Sequence, residues 1–109
     1  MKLPNGHLAI VDIRKLTEYC LNLQHPTGRH KARVFAAAGI GIEDAEILRA
    51  ALLRAASEAE VNRVDTSEYG THYVLDFELF RSARRIAVRS AWLVEAVGEP
   101  PRLLSCYIL

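Results

Sequence analysis

The spacing of apolar residues changes once along this chain, and the change limits the folds open to it. Before Glu60, apolar residues recur every three or four positions, as on one face of an α-helix. After Glu60 they alternate with polar residues, which is the period of a half-buried strand. Helices first and strands second, with short connections, predict an α+β fold. We expect two or three N-terminal helices packed on a C-terminal antiparallel sheet of three to four strands.

Helical spacing defines three segments. A short amphipathic helix is predicted at residues 12–21, with Asp12 as its N-cap. A second is predicted at residues 30–38, ended by Gly39, and the longest at residues 43–59. An extended segment or short strand at residues 7–11 precedes them.

Alternating residues define the sheet. Strands are predicted at residues 72–79, 85–95 and 102–109, and residues 61–67 are a candidate fourth strand. Trp92 is expected in the core. Adjacent strand residues face opposite ways, so Arg89 and Ser90 cannot share a sheet face unless a bulge turns one of them.

Composition sets the class of protein. A chain of 109 residues, a quarter of them charged, is expected to form one soluble domain over residues 1–109. No apolar run reaches the roughly 20 residues of a membrane span, and no signal-peptide pattern is present, so a cytoplasmic location is expected. Cys20 and Cys106 are expected to be reduced thiols, and no metal ligands have zinc-site spacing. No nucleotide or cofactor motif occurs, so no cofactor is expected.

The net charge is only +1, so a site for a polyanion requires local clustering of cations. Arg29, His30, Lys31 and Arg33 cluster where the second helix begins. The free N–H groups of a helix N-terminus attract anions, and these side chains add full positive charge. The cluster predicts a phosphate site, while the same residues are also typical of a solvated first turn.

Three residues of the predicted sheet are further candidates. The fork of Arg89 suits two-point contact with phosphate, but pairing with Asp76 or Glu78 across the strands is an open alternative. Ser90 is either a substrate contact or a hydrogen-bonded core hydroxyl. Tyr107 can position a phosphate or stack on a base, although strand aromatics mostly pack.

Short motifs are spread over nearly the whole chain: Leu3-Pro4-Asn5-Gly6, His25-Pro26, Gly28, His30-Lys31-Ala32-Arg33-Val34-Phe35, Val88-Arg89-Ser90-Ala91-Trp92, Pro101-Arg102-Leu103 and Cys106-Tyr107. Together they resemble a family of small bacterial proteins known as a domain of unknown function. A looser likeness of the helix-then-sheet order is to the ribonuclease toxins of the barnase, EndoU, colicin and RelE group.

The looser likeness implies metal-independent RNA cleavage by attack of the 2′-hydroxyl, and an antitoxin or immunity protein as partner. It implies roles for these residues: His30 as acid or base, Lys31, Arg29, Arg33 and Tyr107 on RNA phosphate, and Arg89 on the transition state, assisted by Ser90. This fold-level likeness leaves a second acid or base to be found, with His25 and Tyr107 as candidates. The competing hypothesis is a non-catalytic module that binds the product of a neighbouring gene.

Overall fold

The helices come first and the sheet second, which confirms the predicted α+β fold. The computed structural model describes residues 1–109, and its helices are the short α1 (Ile13–Lys15), α2 (Arg29–Ala37) and α3 (Ala45–Glu58). Asp12 is the N-cap of α1, as predicted, and accepts a hydrogen bond from the Arg14 N–H. None of the helices has the length and apolar character needed to cross a membrane.

The sheet has four antiparallel strands in the order β1-β2-β3-β4. They are β1 (Val61–Ser67), β2 (Gly70–Arg81), β3 (Arg84–Val94) and β4 (Arg102–Ile108). The candidate strand at residues 61–67 is therefore the first strand of the sheet. The register sets Asp76 of β2 opposite Arg89 of β3, and Arg89 opposite Tyr107 of β4.

One face of the sheet is covered by the helices, and the other is open. Trp92, Leu75 and Val88 are fully buried on the covered face, in one core with Phe35 and Leu48 of the helices. Alternation places Arg89 and its cross-strand partners on the open face. The register of β4 shifts at a bulge beside Trp92, where Leu104 is the extra residue.

Two N-terminal segments differ from the sequence prediction. Residues 7–11 do not form a regular strand: Gly6–Leu8 is a 3₁₀ turn, and only Ile10 makes a bridge, to Arg102. Gly6 packs directly on the Ala56 carbonyl of α3, where a Cβ would clash, and the turn that starts there takes up residues 7 and 8 of the predicted segment.

The helix predicted at residues 12–21 also changes type along its length. After α1 it continues as a π-helical segment, Leu16–Cys20, in which the Leu21 N–H donates to the carbonyl of Leu16 at 2.8 Å. This segment ends with Tyr19 and Cys20, and Tyr19 belongs to the candidate site described next.

Candidate anion site between Tyr19, Lys31 and Tyr107

Lys31 is held between two tyrosines. Its Nζ donates to Tyr19 Oη at 2.7 Å and lies 4.7 Å from the centre of the Tyr19 ring and 6.0 Å from that of Tyr107. The side chain is half-buried, and no carboxylate oxygen comes within 4.0 Å of the ammonium. A partly desolvated cation without a carboxylate retains free N–H donors for an anion.

The chain reaches this arrangement through a close contact at the start of α2. Gly28 is buried, and a Cβ there would lie 2.4 Å from the Tyr19 carbonyl oxygen. Only glycine therefore lets α2 begin directly against the π-helical segment. The first turn of α2 then carries Lys31 to the Tyr19 ring.

Tyr107 extends the cluster onto the open face of the sheet. It lies opposite Arg89 in the register of β3 and β4. Arg89 also contacts both carboxylate oxygens of Asp76, at 2.8 and 2.9 Å. These contacts, the Asp76 hydrogen bonds above all, raise the pKa of Arg89, and the same bonds lower the pKa of Asp76 from its ordinary 3.8. Arg89 is thus paired across the strands, one of the two alternatives its sequence context left open.

Ser90 lies on the covered face. Its hydroxyl donates to the Leu75 carbonyl at 3.1 Å and accepts from Trp92 Nε1 at 2.9 Å. Arg89 and Ser90 therefore face opposite sides of the sheet, and the Ser90 side chain is the hydrogen-bonded core hydroxyl of the two alternatives. It has no access to a ligand bound on the open face.

The other cations of α2 do not join Lys31 at the tyrosines. His30 and Arg33 are exposed, Arg29 is half-buried, and none of the three side chains makes a hydrogen bond or ion pair. The sequence predicted a group of cations at the start of the helix. The structure brings one of them, Lys31, to Tyr107.

His25 accepts hydrogen bonds from the backbone N–H groups that precede α2. Its Nδ1 accepts hydrogen bonds from the N–H groups of Thr27 at 3.1 Å and Gly28 at 2.9 Å, and its carbonyl accepts from Arg29 N at 3.1 Å. The expectation of free N–H groups therefore fails for Thr27, Gly28 and Arg29, whereas the N–H groups of His30 and Lys31 have no hydrogen-bond partner. Because Nδ1 is an acceptor, the neutral ring carries its proton on Nε2. The ring also packs edge-on against Tyr19, with centroids 4.8 Å apart.

A pocket of about 630 Å³ opens beside Tyr19 and His25. It is lined by Asp12, Arg14, Lys15, Glu18, Tyr19, His25, Leu104 and Ser105. Arg14 is paired with Asp12 at 2.7 Å, so Lys15 is the cation of this pocket without a carboxylate partner. Neither in this pocket nor anywhere else in the chain do three His, Cys, Asp or Glu side chains come together in a way that could hold a metal ion.

Tyr19 is the contact that the sequence analysis missed. Its place at the end of the first helix, just before the loop to α2, indicates closeness to the first turn of α2. Nothing in the sequence says that its hydroxyl meets Lys31.

Comparison with known proteins gives a family but no activity. No curated protein and no solved structure matches the chain. A protein-family comparison matches residues 2–109 to a domain of unknown function, DUF6883. The match spans nearly the whole chain, and the protein therefore belongs to the DUF6883 family.

Proposed function

We propose that this domain is a metal-independent endoribonuclease of the toxin type, acting in a bacterial toxin–antitoxin or conflict system. The observation that carries the proposal is the half-buried Lys31 ammonium, held by Tyr19 and without a carboxylate partner. A phosphodiester supplies the missing negative charge. The tyrosine rings on either side suit the bases, because stacking on aromatics is how single-stranded RNA is commonly held.

Arg89 is the second cation of the proposed site. Tyr107 connects the two, since its ring lies near Lys31 and it is the cross-strand partner of Arg89. A phosphate bound at Tyr107 reaches Arg89 only if the guanidinium shares its fork between Asp76 and the phosphate. We assign Arg89 to the charge that develops on the phosphorane, where a preformed donor contributes most.

Cleavage requires two proton transfers. The 2′-oxygen attacks phosphorus while its proton passes to a base, and the bond from phosphorus to the 5′-oxygen breaks as that oxygen takes a proton from an acid. A 2′,3′-cyclic phosphate and a free 5′-hydroxyl result. We assign one transfer to His30, whose exposed imidazole precedes Lys31 in α2, because imidazole is the side chain most often used for acid–base catalysis. Tyr107 or His25 is the candidate for the other.

The test is incubation of the purified chain with a fluorogenic RNA. Wild-type protein is expected to release a cyclic phosphate product, and Lys31→Gln to reduce the rate by about 100-fold, the typical effect of removing one charge-stabilising donor. His30→Ala is expected to slow cleavage as well, and Arg33→Gln to weaken binding. Arg54→Gln is the matched control, because Arg54 is exposed on α3 and makes no hydrogen bond or ion pair.

Expression in bacteria gives an independent readout. The wild-type gene is expected to arrest growth, and Lys31→Gln to relieve the arrest at equal protein level. A wild-type chain that leaves RNA intact and growth unaffected overturns the proposal.

A second candidate function is a non-catalytic module that binds the product of a neighbouring gene. The observation that favours it is the free edge of β1, which has no strand beyond it and whose residues 62–67 are all exposed. An extended segment of a partner can add a strand to such an edge through main-chain hydrogen bonds. The expected result is a stable complex in which hydrogen exchange of the β1 amides slows, with no cleavage of RNA by the free chain.

A further inference from the structure

Two thiols from opposite ends of the chain meet in the core. Cys20 ends the π-helical segment and Cys106 lies in the middle of β4, and neither side chain is exposed. Both are free thiols, both belong to the same core cluster, and each shifts the pKa of the other, so the two side chains lie next to each other.

The groups around the two thiols shift their pKa values in opposite directions. The thiol and N–H of Cys106, the Ser105 hydroxyl and the charge of Lys31 lower the pKa of Cys20 to about 7, against desolvation that acts in the other direction. The pKa of Cys106 is raised well above its ordinary value, first by the interaction with the Cys20 thiol and then by burial. Cys20 is therefore the thiolate of the pair near neutral pH, and the thiolate is the nucleophile.

The position of Ser105 indicates a route by which an oxidant reaches the Cys20 sulfur from solvent. The residue lines the pocket beside Tyr19 and precedes Cys106 in the chain, and its buried Oγ has no hydrogen-bond partner. A molecule the size of a peroxide fits this pocket, and local opening of the π-helical segment exposes Cys20 to it.

We propose that Cys20 and Cys106 are an oxidisable pair that forms an intramolecular disulfide with hydrogen peroxide. The Cys20 thiolate attacks a peroxide oxygen, the O–O bond breaks, and the released hydroxide takes a proton to become water. The Cys106 sulfur then attacks the resulting sulfenic acid, losing its proton and displacing a second water. Two thiols are oxidised, and one peroxide is reduced to two waters.

The disulfide would act directly on the Lys31 site. Tyr19 precedes Cys20 in the chain and Tyr107 follows Cys106, so both tyrosines around Lys31 are bonded to a member of the pair. Drawing the two sulfurs to bonding distance shifts the π-helical segment against β4 and changes the spacing of the rings. This regulatory step rests on the proposed function, whereas disulfide formation does not.

The first experiment uses the wild-type chain. Peroxide is expected to remove both titratable thiols together, to lower the intact mass by two hydrogen atoms and to leave the chain's oligomeric state unchanged, all reversed by dithiothreitol. Peptide mapping without reductant should join the peptides of Cys20 and Cys106. Thiols that survive peroxide, oxidation of one cysteine to the sulfinic acid, or disulfides only between chains overturn the proposal.

Single variants identify the reacting thiol. In Cys106→Ser, peroxide should leave a sulfenic acid at Cys20 that dimedone captures, whereas Cys20→Ser should show at least tenfold less capture at Cys106. Equal capture, or faster capture at Cys106, contradicts the assignment. If either variant fails to fold, the wild-type mapping still decides whether the disulfide forms.

RNA cleavage before and after oxidation tests the regulatory step separately. A changed rate that returns with dithiothreitol supports it, and an unchanged rate in the fully oxidised chain overturns it. If the reduced chain cleaves no RNA, the proposed function fails while the thiol measurements stand.

Discussion

Arg89 and Asp76 lie opposite each other on β3 and β2, and the guanidinium contacts both carboxylate oxygens, at 2.8 and 2.9 Å. Asn62 holds the carboxylate from the other side, donating from Nδ2 to Oδ2 at 3.1 Å. The pair faces the open side of the sheet beside Tyr107. Asp76 therefore stabilises the sheet and at the same time competes with any phosphate for Arg89.

Asp76→Asn is expected to separate these two effects. At pH 7 the free energy of unfolding should fall by about 1 kcal/mol, because a partly exposed, two-point ion pair is lost. Binding of an RNA oligonucleotide should tighten, since Arg89 is released. Urea unfolding and a fluorescence titration measure the two quantities. Asp65→Asn, which breaks the more exposed pair with Arg63, is the control and should change neither by much.

The stability effect of Asp76→Asn should also depend on pH. The pKa of Asp76 is lowered by Arg89 from the ordinary 3.8, so its contribution is complete above about pH 4 and is lost as pH falls through the lowered pKa. Wild type and variant should therefore differ at pH 6 and converge in strong acid. A difference that stays constant down to pH 2 would mean that the ion pair is not its source.

Tyr19→Phe is expected to make the Lys31 side chain more mobile while the aromatic ring beside it stays in place. The ring and its packing against His25 remain, but the 2.7 Å hydrogen bond to Lys31 Nζ is lost. Stability should fall by about 1 kcal/mol or less, and RNA cleavage by about tenfold, because a misplaced cation stabilises the transition state less well. Initial rates at saturating RNA measure the effect. Tyr69→Phe, in the exposed β1–β2 turn, should match wild type in both assays.

His25→Ala is expected to destabilise the start of α2. Two backbone N–H groups lose the Nδ1 acceptor, which should cost about 1–2 kcal/mol, as for loss of a helix cap. His25→Asn retains a short acceptor and should recover part of that loss. Thermal unfolding followed by circular dichroism gives the comparison, with His7→Ala at an exposed position as the control. Equal melting temperatures for the two His25 variants would show that the acceptor does not matter.

Ser90→Ala tests whether this hydroxyl is structural. Its removal leaves the buried Trp92 Nε1–H without its partner, and we expect a loss of about 1–3 kcal/mol of stability together with a shift in tryptophan fluorescence. The chemical step of RNA cleavage, measured by single turnover on the fraction that remains folded, should be unchanged. A loss of cleavage with full stability would instead assign Ser90 to the reaction.

The fold could be predicted from local patterns. The change of period at Glu60 and the alternation around Trp92 place the elements, and the opposite facing of Arg89 and Ser90 follows from strand geometry alone. The π-helical segment could not be predicted, because its apolar spacing at Leu16 and Cys20 also fits an α-helix.

Less of the candidate site than of the fold could be predicted from the sequence. Charge alone singles out the cluster that contains Lys31, but its tyrosine partners come from other elements, and only the packing of α2 against β4 selects Lys31 over His30 or Arg33. The contact between Cys20 and Cys106 is hidden for the same reason, since it joins residues near the two ends of the chain.

The extra residue at the bulge of β4 determines which side chains that strand shows to solvent. Leu103 and Tyr107 are an even number of positions apart, so in an uninterrupted strand both would point the same way. With Leu104 inserted, Leu103 packs in the core and Tyr107 stands on the open side. Deleting the Leu104 codon would therefore remove the bulge and still leave Leu103 inside and Tyr107 outside, because the two residues would then be three positions apart and alternation alone would place them on opposite faces.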